Sequence, residues 1–150
     1  MDSESLAWLA GIFDGEGSLT ILRAKGGECC GLVNISNNDP HIITRTLLLC
    51  KQHGIPIPGL YSTRRCRQLT WSGYDAADFL RAIQPWVVGM KKLRRIQTYV
   101  RHFDREMRWQ RRVKITHKDT LLEWNELLEL EASEGDLISK RVLEKRKERG

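Results

Sequence analysis

The run Leu9 to Gly17 (LAGIFDGEG) constrains this chain more than any other segment. An apolar helical pattern stops there at two acids set between glycines, and a β-rich alternation starts at once. Spacing predicts a helix over residues 4–14, capped by Asp2 or Ser3, with Gly15, Glu16 and Gly17 ending it. On a helical wheel Leu6, Leu9 and Phe13 share one arc, with Trp8 and Ile12 beside it, and this bulky arc belongs in a core. Ala7, Ala10, Gly11 and Asp14 share another. Glycine inside a helix costs about 1 kcal/mol against alanine, so the small arc needs a reason. Tight packing within the domain is one, and close approach of a second helix is the other. The helix end is equally two-sided. Carboxylates beside helix C-terminal carbonyls suit a hard cation, and glycine permits positive φ and close approach of a ligand. Two solvated acids in a polar turn would carry the same letters.

The rest of the chain alternates strands and helices. Residues 18–23 and 30–36 read as strands joined through Gly26-Gly27. Asp39 is a natural N-cap with Pro40 at the first helical position, opening a helix to about His53. A second hairpin is expected over 60–65 and 67–72, with arginines near its tip. Helices follow over 74–83 and 91–108, the latter placing Leu93, Ile96, Val100, Phe103 and Met107 on one face. Two more helices are expected over 118–131 and 136–148. The layout is α+β with a mostly antiparallel sheet. No linker divides the 150 residues, so one domain is expected over 1–150, with a core unit over 1–116 and C-terminal helices over 117–150.

The net charge of +6 matters less than its distribution. Lys91 to Lys114 holds ten Lys/Arg against two acids, and Lys140 to Arg149 holds six against two. Asp119 to Asp136 holds seven acids and no base. The basic stretches are expected to face phosphate, and the acidic helix to present a solvated face. No apolar run is long enough to cross a bilayer, so no membrane partner is expected. The N-terminus lacks the features of a signal peptide, so a cytoplasmic or organellar location is expected. Cys29, Cys30, Cys50 and Cys66 have no metal-binding spacing and read as reduced structural thiols.

The segment LAGIFDGEG resembles the signature of the LAGLIDADG homing endonucleases. Seven of nine positions agree when Asp/Glu and Ala/Gly are exchangeable, and the other two stay bulky and apolar. The following hairpin, the Ile35-Ser36-Asn37-Asn38-Asp39-Pro40 helix start, the second hairpin and Pro85 followed by Lys91-Lys92 come in the family's order. The likeness spans about residues 1 to 105.

The resemblance implies an αββαββα saddle whose sheet lies in the major groove of double-stranded DNA. It implies a homodimer, since the chain carries one motif, with the motif helices packed through Ala7, Ala10, Gly11 and Asp14. Glu16 would bind the catalytic Mg²⁺, with Mn²⁺ as a substitute, and the Gly15 carbonyl would help. Metal ions between attacking water and leaving oxygen would activate the nucleophile and stabilise developing charge. Asn37 matches a water-positioning residue and Lys91 a basic transition-state residue, with Lys92 competing because one residue is inserted in the pattern. His41 matches a supporting basic position in some relatives. Groove-facing positions would be Ser18, Thr20, Leu22 and Ala24, then Leu32 and Asn34, then Tyr61, Thr63, Arg65, Gln68 and Thr70. Arg65 would grip guanine, and Gln68 and Asn34 would read adenine. Lys25, Arg64 and Arg67 would touch phosphate. Ile21, Val33, Ile35 and Leu69 would be core. The product would be a double-strand break in a long, near-palindromic target such as an intron-insertion site. Two alternatives keep the same fold: a maturase that binds intron RNA, and a DNA-binding protein without catalysis.

Overall fold

The computed structural model describes residues 2–23, 29–103 and 117–149. Helix α1 (Ser3–Glu16) opens on Asp2, whose carboxylate accepts from the Glu4 N–H at 3.0 Å and from the Ser5 hydroxyl at 2.7 Å. It leads into β1 (Gly17–Arg23), which pairs with β2 (Cys29–Asn37). Helix α2 (Pro40–Gln52) starts at the expected Asp39 cap, which accepts from the His41 N–H at 2.9 Å. Strands β3 (Gly59–Ser62) and β4 (Arg67–Ser72) form the second hairpin, followed by α3 (Gly73–Ile83), a 3₁₀ turn (Gln84–Trp86) and α4 (Met90–Phe103). Helices α5 (His117–Ser133) and α6 (Leu137–Arg149) complete the chain. The loop across Gly26-Gly27 and the helix position of Met107 lie outside the described residues.

The four strands form one antiparallel sheet in the order β1-β2-β4-β3. The period of two puts Leu19, Ile21, Val33, Ile35, Leu69 and Trp71 on one face, and all six are buried. The helices cover that face. Phe79 of α3 stacks on Trp71 with centroids 4.0 Å apart and meets Phe13 of α1 edge-on at 6.2 Å. Gly31 is required by close approach. A Cβ there would lie 2.1 Å from the Tyr99 hydroxyl, which donates to the Gly73 carbonyl at 3.2 Å. Cys50 is a buried free thiol whose pKa burial pushes up to about 12, in keeping with a structural role.

Strand β3 stops at Ser62 rather than reaching residue 65. The Thr63 hydroxyl folds the chain over instead, accepting from the Arg65 and Cys66 N–H groups at 3.3 and 3.1 Å and donating to the Cys66 carbonyl at 3.0 Å.

The charge pattern resolves differently from the sequence expectation. Helix α5 is not a solvated acidic face; it packs on α4 and takes up the charges of its first and last turns. Glu131 is 2% exposed and accepts from Arg95 at 2.9 Å (Nε) and 2.6 Å (Nη2), and from the Ser139 hydroxyl at 2.8 Å. Arg94 meets Glu134 at 2.9 Å, Lys91 meets Asp136, and Glu123 takes Arg101 and His102. These α4 cations are therefore neutralised rather than turned to phosphate. The physical reason is that Glu131 shares a helix face with buried Trp124 and Leu128, so burying that stripe carries the carboxylate to Arg95. Glu126 and Glu129 keep the solvated role, both exposed on the outer side. Arg95 and Arg146 also reach the Leu19 and Ile21 carbonyls of the edge strand β1, at 3.5 and 3.2 Å. Among the described residues no helix is long and apolar enough to cross a membrane.

Breaking a buried pair leaves an uncompensated charge. Glu131→Ala is expected to lower stability by about 3–5 kcal/mol in urea unfolding. A loss below about 1 kcal/mol, the value of an exposed pair, would return α5 to the status of a solvated appendage.

Candidate active site

The motif helix runs two residues further than its glycines predict. Glu16 closes α1, and the Gly17 N–H bonds back to the Phe13 carbonyl. The three motif glycines serve different ends. A Cβ on Gly17 would lie 2.3 Å from the Phe13 ring and 2.6 Å from its carbonyl oxygen, so this position needs glycine for close packing. Its φ of −86° is ordinary, and positive φ among the described glycines occurs only at Gly54, Gly73 and Gly135. The positive φ that glycine permits is not used at the motif, and the constraint at Gly17 is steric. Around Gly11 and Gly15 an added Cβ would meet nothing within 4 Å.

Exposure sorts the small-residue arc. Ala7, Gly11 and Gly15, four residues apart, form an open stripe along α1 that ends at Glu16. Ala10, expected on that stripe, is fully buried in the chain's own core. Asp14 is half-buried and turned inward. Its carboxylate accepts from the Val88 N–H at 2.9 Å and the Gly89 N–H at 3.2 Å, at the entry to α4. Lys92 returns the contact. Its ammonium donates to the Phe13 and Asp14 carbonyls at 2.6 and 2.5 Å and lies 5.2 Å from the Phe13 ring centroid. Burial pushes the Lys92 pKa below its ordinary value, opposed by the charge of Asp14 and reinforced by Lys91 and Arg95.

The structure thus brings Lys92, not Lys91, to the motif; Lys91 points to Asp136 in the α5–α6 turn. The inserted residue blurs this choice in sequence, and only packing of α4 against α1 decides it. Glu16 is exposed, and its carboxylate has no hydrogen bond or ion pair among the described residues. The Gly15 carbonyl, at the end of a helix that turns into a strand, has no intrahelical partner. Asn37 ends β2 on the same edge of the sheet as the α1–β1 junction, since Gly17 pairs with Ile35. Its Oδ1 accepts from the Asp39 N–H at 2.8 Å, leaving the amide nitrogen as its outward group. His41 is exposed at the start of α2.

One free carboxylate beside one free carbonyl fits a hard cation such as Mg²⁺, whose shell is completed by water and phosphate oxygens. Among the described residues no group of three or more His, Cys, Asp or Glu forms a self-sufficient metal cage. Such a site needs oxygens from outside the chain.

The open face of the sheet carries Ser18, Thr20, Leu32, Asn34, Tyr61, Gln68 and Thr70. The strands bring Ser18, Asn34 and Thr70 into one row, Thr20, Leu32 and Ser72 into a second, and Ser36, Gln68 and Tyr61 into a third. Ser36 and Ser72 belong to this face and were legible from the same alternation. Thr63 does not belong to it; its hydroxyl is consumed by the turn. The Thr20 hydroxyl is buried without a partner among the described residues, so it is not a group that the face presents. Arg64, Arg65 and Arg67 are exposed at the hairpin tip. The Leu22 side chain, Ala24 and Lys25 lie outside the described residues.

No family model matches the chain, and no curated protein matches it. Solved structures do. A homing endonuclease, I-TnaI, superposes with a TM-score of 0.56 at 20% identity over 97% of this chain and 99% of its own. The LAGLIDADG meganuclease I-AabMI, bound to uncleaved DNA, gives 0.55 at 17% over 92% of this chain and 48% of its own. The homing endonuclease I-CvuI, in complex with an uncleaved target in the presence of 2 mM Mg, gives 0.52 at 12% over 83% and 94%. At these identities the likeness shows a shared fold: this chain has the α+β architecture of the LAGLIDADG homing endonucleases.

Asp14 is expected to be worth about 1–3 kcal/mol to this arrangement, since its removal strands two backbone donors. Asp14→Ala should lower the urea midpoint accordingly while Lys91→Ala changes it little. Equal effects of the two substitutions would show that the α1–α4 junction is not where the stability lies.

Proposed function

We propose that this chain is a sequence-specific DNA endonuclease acting as a homodimer with Mg²⁺, for which Mn²⁺ substitutes. The product would be a double-strand break in a long, near-palindromic duplex such as an intron-insertion site. The observation that carries the reading is the free Glu16 carboxylate at the end of the open Ala7-Gly11-Gly15 stripe. Such a stripe lets a second copy of the same helix approach closely. Two copies packed there bring two Glu16 carboxylates to one centre, one for each strand to be cut.

Bound metal would lower the pKa of an attacking water and offset charge on the leaving oxygen. The chain's own groups supply the rest. Glu16 and the Gly15 carbonyl would hold the ion. Lys92, anchored on the α1 carbonyls, sets a positive charge beside Glu16, where it would stabilise a phosphate gaining charge. This reading gives Lys92 the role that the sequence pattern assigned first to Lys91. The Asn37 amide nitrogen would orient water. The polar open face of the sheet would meet base edges in the major groove, while Arg64, Arg65 and Arg67 at the hairpin tip would meet phosphate or a guanine edge. With Lys91, Arg94, Arg95 and Arg101 of α4 paired to acids, the exposed Lys140, Arg141, Lys145 and Lys147 of α6 offer a further cluster of positive charge.

Glu16→Gln should retain duplex binding and lose cleavage by at least about 100-fold, the scale of one lost electrostatic stabiliser. Incubation of candidate insertion-site duplexes with Mg²⁺ or Mn²⁺ and resolution of strand products tests it. Cleavage by Glu16→Gln at the parental rate would sink the assignment. Sedimentation should report a dimer, and Gly11→Leu, which fills the open stripe, should report a monomer.

A further inference from the structure

The open sheet face holds one side chain whose orientation is already fixed. Asn34 of β2 sits directly opposite Thr70 of β4, and the Thr70 hydroxyl donates to Asn34 Oδ1 at 2.8 Å. The bond runs across the strands, so the amide oxygen is turned along the sheet toward β4 rather than out of it. An asparagine that reads adenine uses both ends of its amide at once: Oδ1 accepts from N6–H while Nδ2 donates to N7. That requires both atoms to point outward together. Here the acceptor end is held sideways, and the group left to face a ligand is the Nδ2 amine, which only donates.

A donor-only group discriminates between base edges. Guanine presents two adjacent acceptors in the major groove, N7 and O6. Adenine presents one acceptor beside a donor, and its N6 amine would face the Asn34 amine, donor against donor. We infer that Asn34, held by Thr70, is a guanine-selecting residue of the sheet, rather than the adenine reader that its residue type alone implies. The inference rests on the proposed DNA-binding role of this face and refines it. In a two-fold symmetric dimer, the two Asn34 side chains would impose the same guanine at the same position of each half-site.

Gln68 is the internal contrast. It lies on the same face, one row away, with no hydrogen bond from its amide among the described residues. Both of its ends remain available, so it keeps the adenine-reading geometry that Asn34 has lost.

Selection of bound duplexes from a pool with randomised half-sites tests the inference, using the full chain with Ca²⁺ so that binding is read without cleavage. The wild-type pool is expected to contain, in each half-site, a position where guanine is enriched about tenfold over adenine, and Asn34→Ala should erase that enrichment at that position alone. Thr70→Val keeps the side-chain shape and removes the hydroxyl. It should release the amide and move the preference at the same position toward adenine. Thr70→Ser keeps the hydroxyl and should keep guanine, which separates loss of the hydrogen bond from damage to the strand. Adenine, or any base other than guanine, at the Asn34-dependent position of the wild type overturns the inference while leaving the DNA-binding reading intact. The same holds for Thr70→Val selecting guanine as strongly as the parent. Failure to enrich any duplex sequence would overturn the DNA-binding reading itself, and the inference with it.

Discussion

The end of α1 and the start of α4 are tied by two reciprocal contacts, and the rest of the site hangs from them. The Lys92 ammonium sits on the carbonyls that close α1, and the Asp14 carboxylate sits on the amides that open α4. Each charge lies at the helix end whose partial charge it complements, a cation at a C-terminus and an anion at an N-terminus. The pair holds two segments more than 70 residues apart in sequence at hydrogen-bond distance. It also turns Asp14 inward and leaves Glu16 outward, so two acids two positions apart acquire opposite characters. One becomes part of the scaffold, and the other remains an exposed, unpaired carboxylate among the described residues.

Charge organises the second half of the molecule in a different way. The basic face of α4 is close to a ready phosphate-binding surface by composition, yet the folded chain covers it with its own acids. Glu131, Glu134 and Asp136 follow from the register of α5, because Trp124 and Leu128 must enter the core and carry their neighbours with them. A buried pair such as Arg95–Glu131 is weak evidence for net stabilisation, but removing one partner is costly, so it specifies where α5 packs. Clusters of positive charge remain at the hairpin tip and on α6, the one beyond the open face of the sheet and the other beside its β1 edge.

The open face shows how much a single hydrogen bond changes the meaning of a residue. Asn34 and Gln68 carry the same functional group, and alternation puts both on the same surface. Thr70 restrains one and nothing among the described residues restrains the other. The Thr20 and Thr63 hydroxyls are withdrawn in two further ways, one by burial and one by a turn. Residue type states what a side chain is able to do, and its neighbours across the strands select which part of that is offered.

Local patterns in the sequence were sufficient for the element order, the antiparallel hairpins, the Asp39-Pro40 helix start and the buried set Ile21, Val33, Ile35 and Leu69. Each of these depends on periodicity or on contacts within a few residues, which the order of amino acids determines directly. Tertiary structure alone decided that Lys92 rather than Lys91 meets the motif, that Ala10 is core while Gly15 joins the open stripe, and that the acids of α5 answer the bases of α4. Those outcomes depend on which distant surfaces meet when apolar faces are buried, and a side chain's partner across 40 or 79 positions leaves no trace in its local spacing.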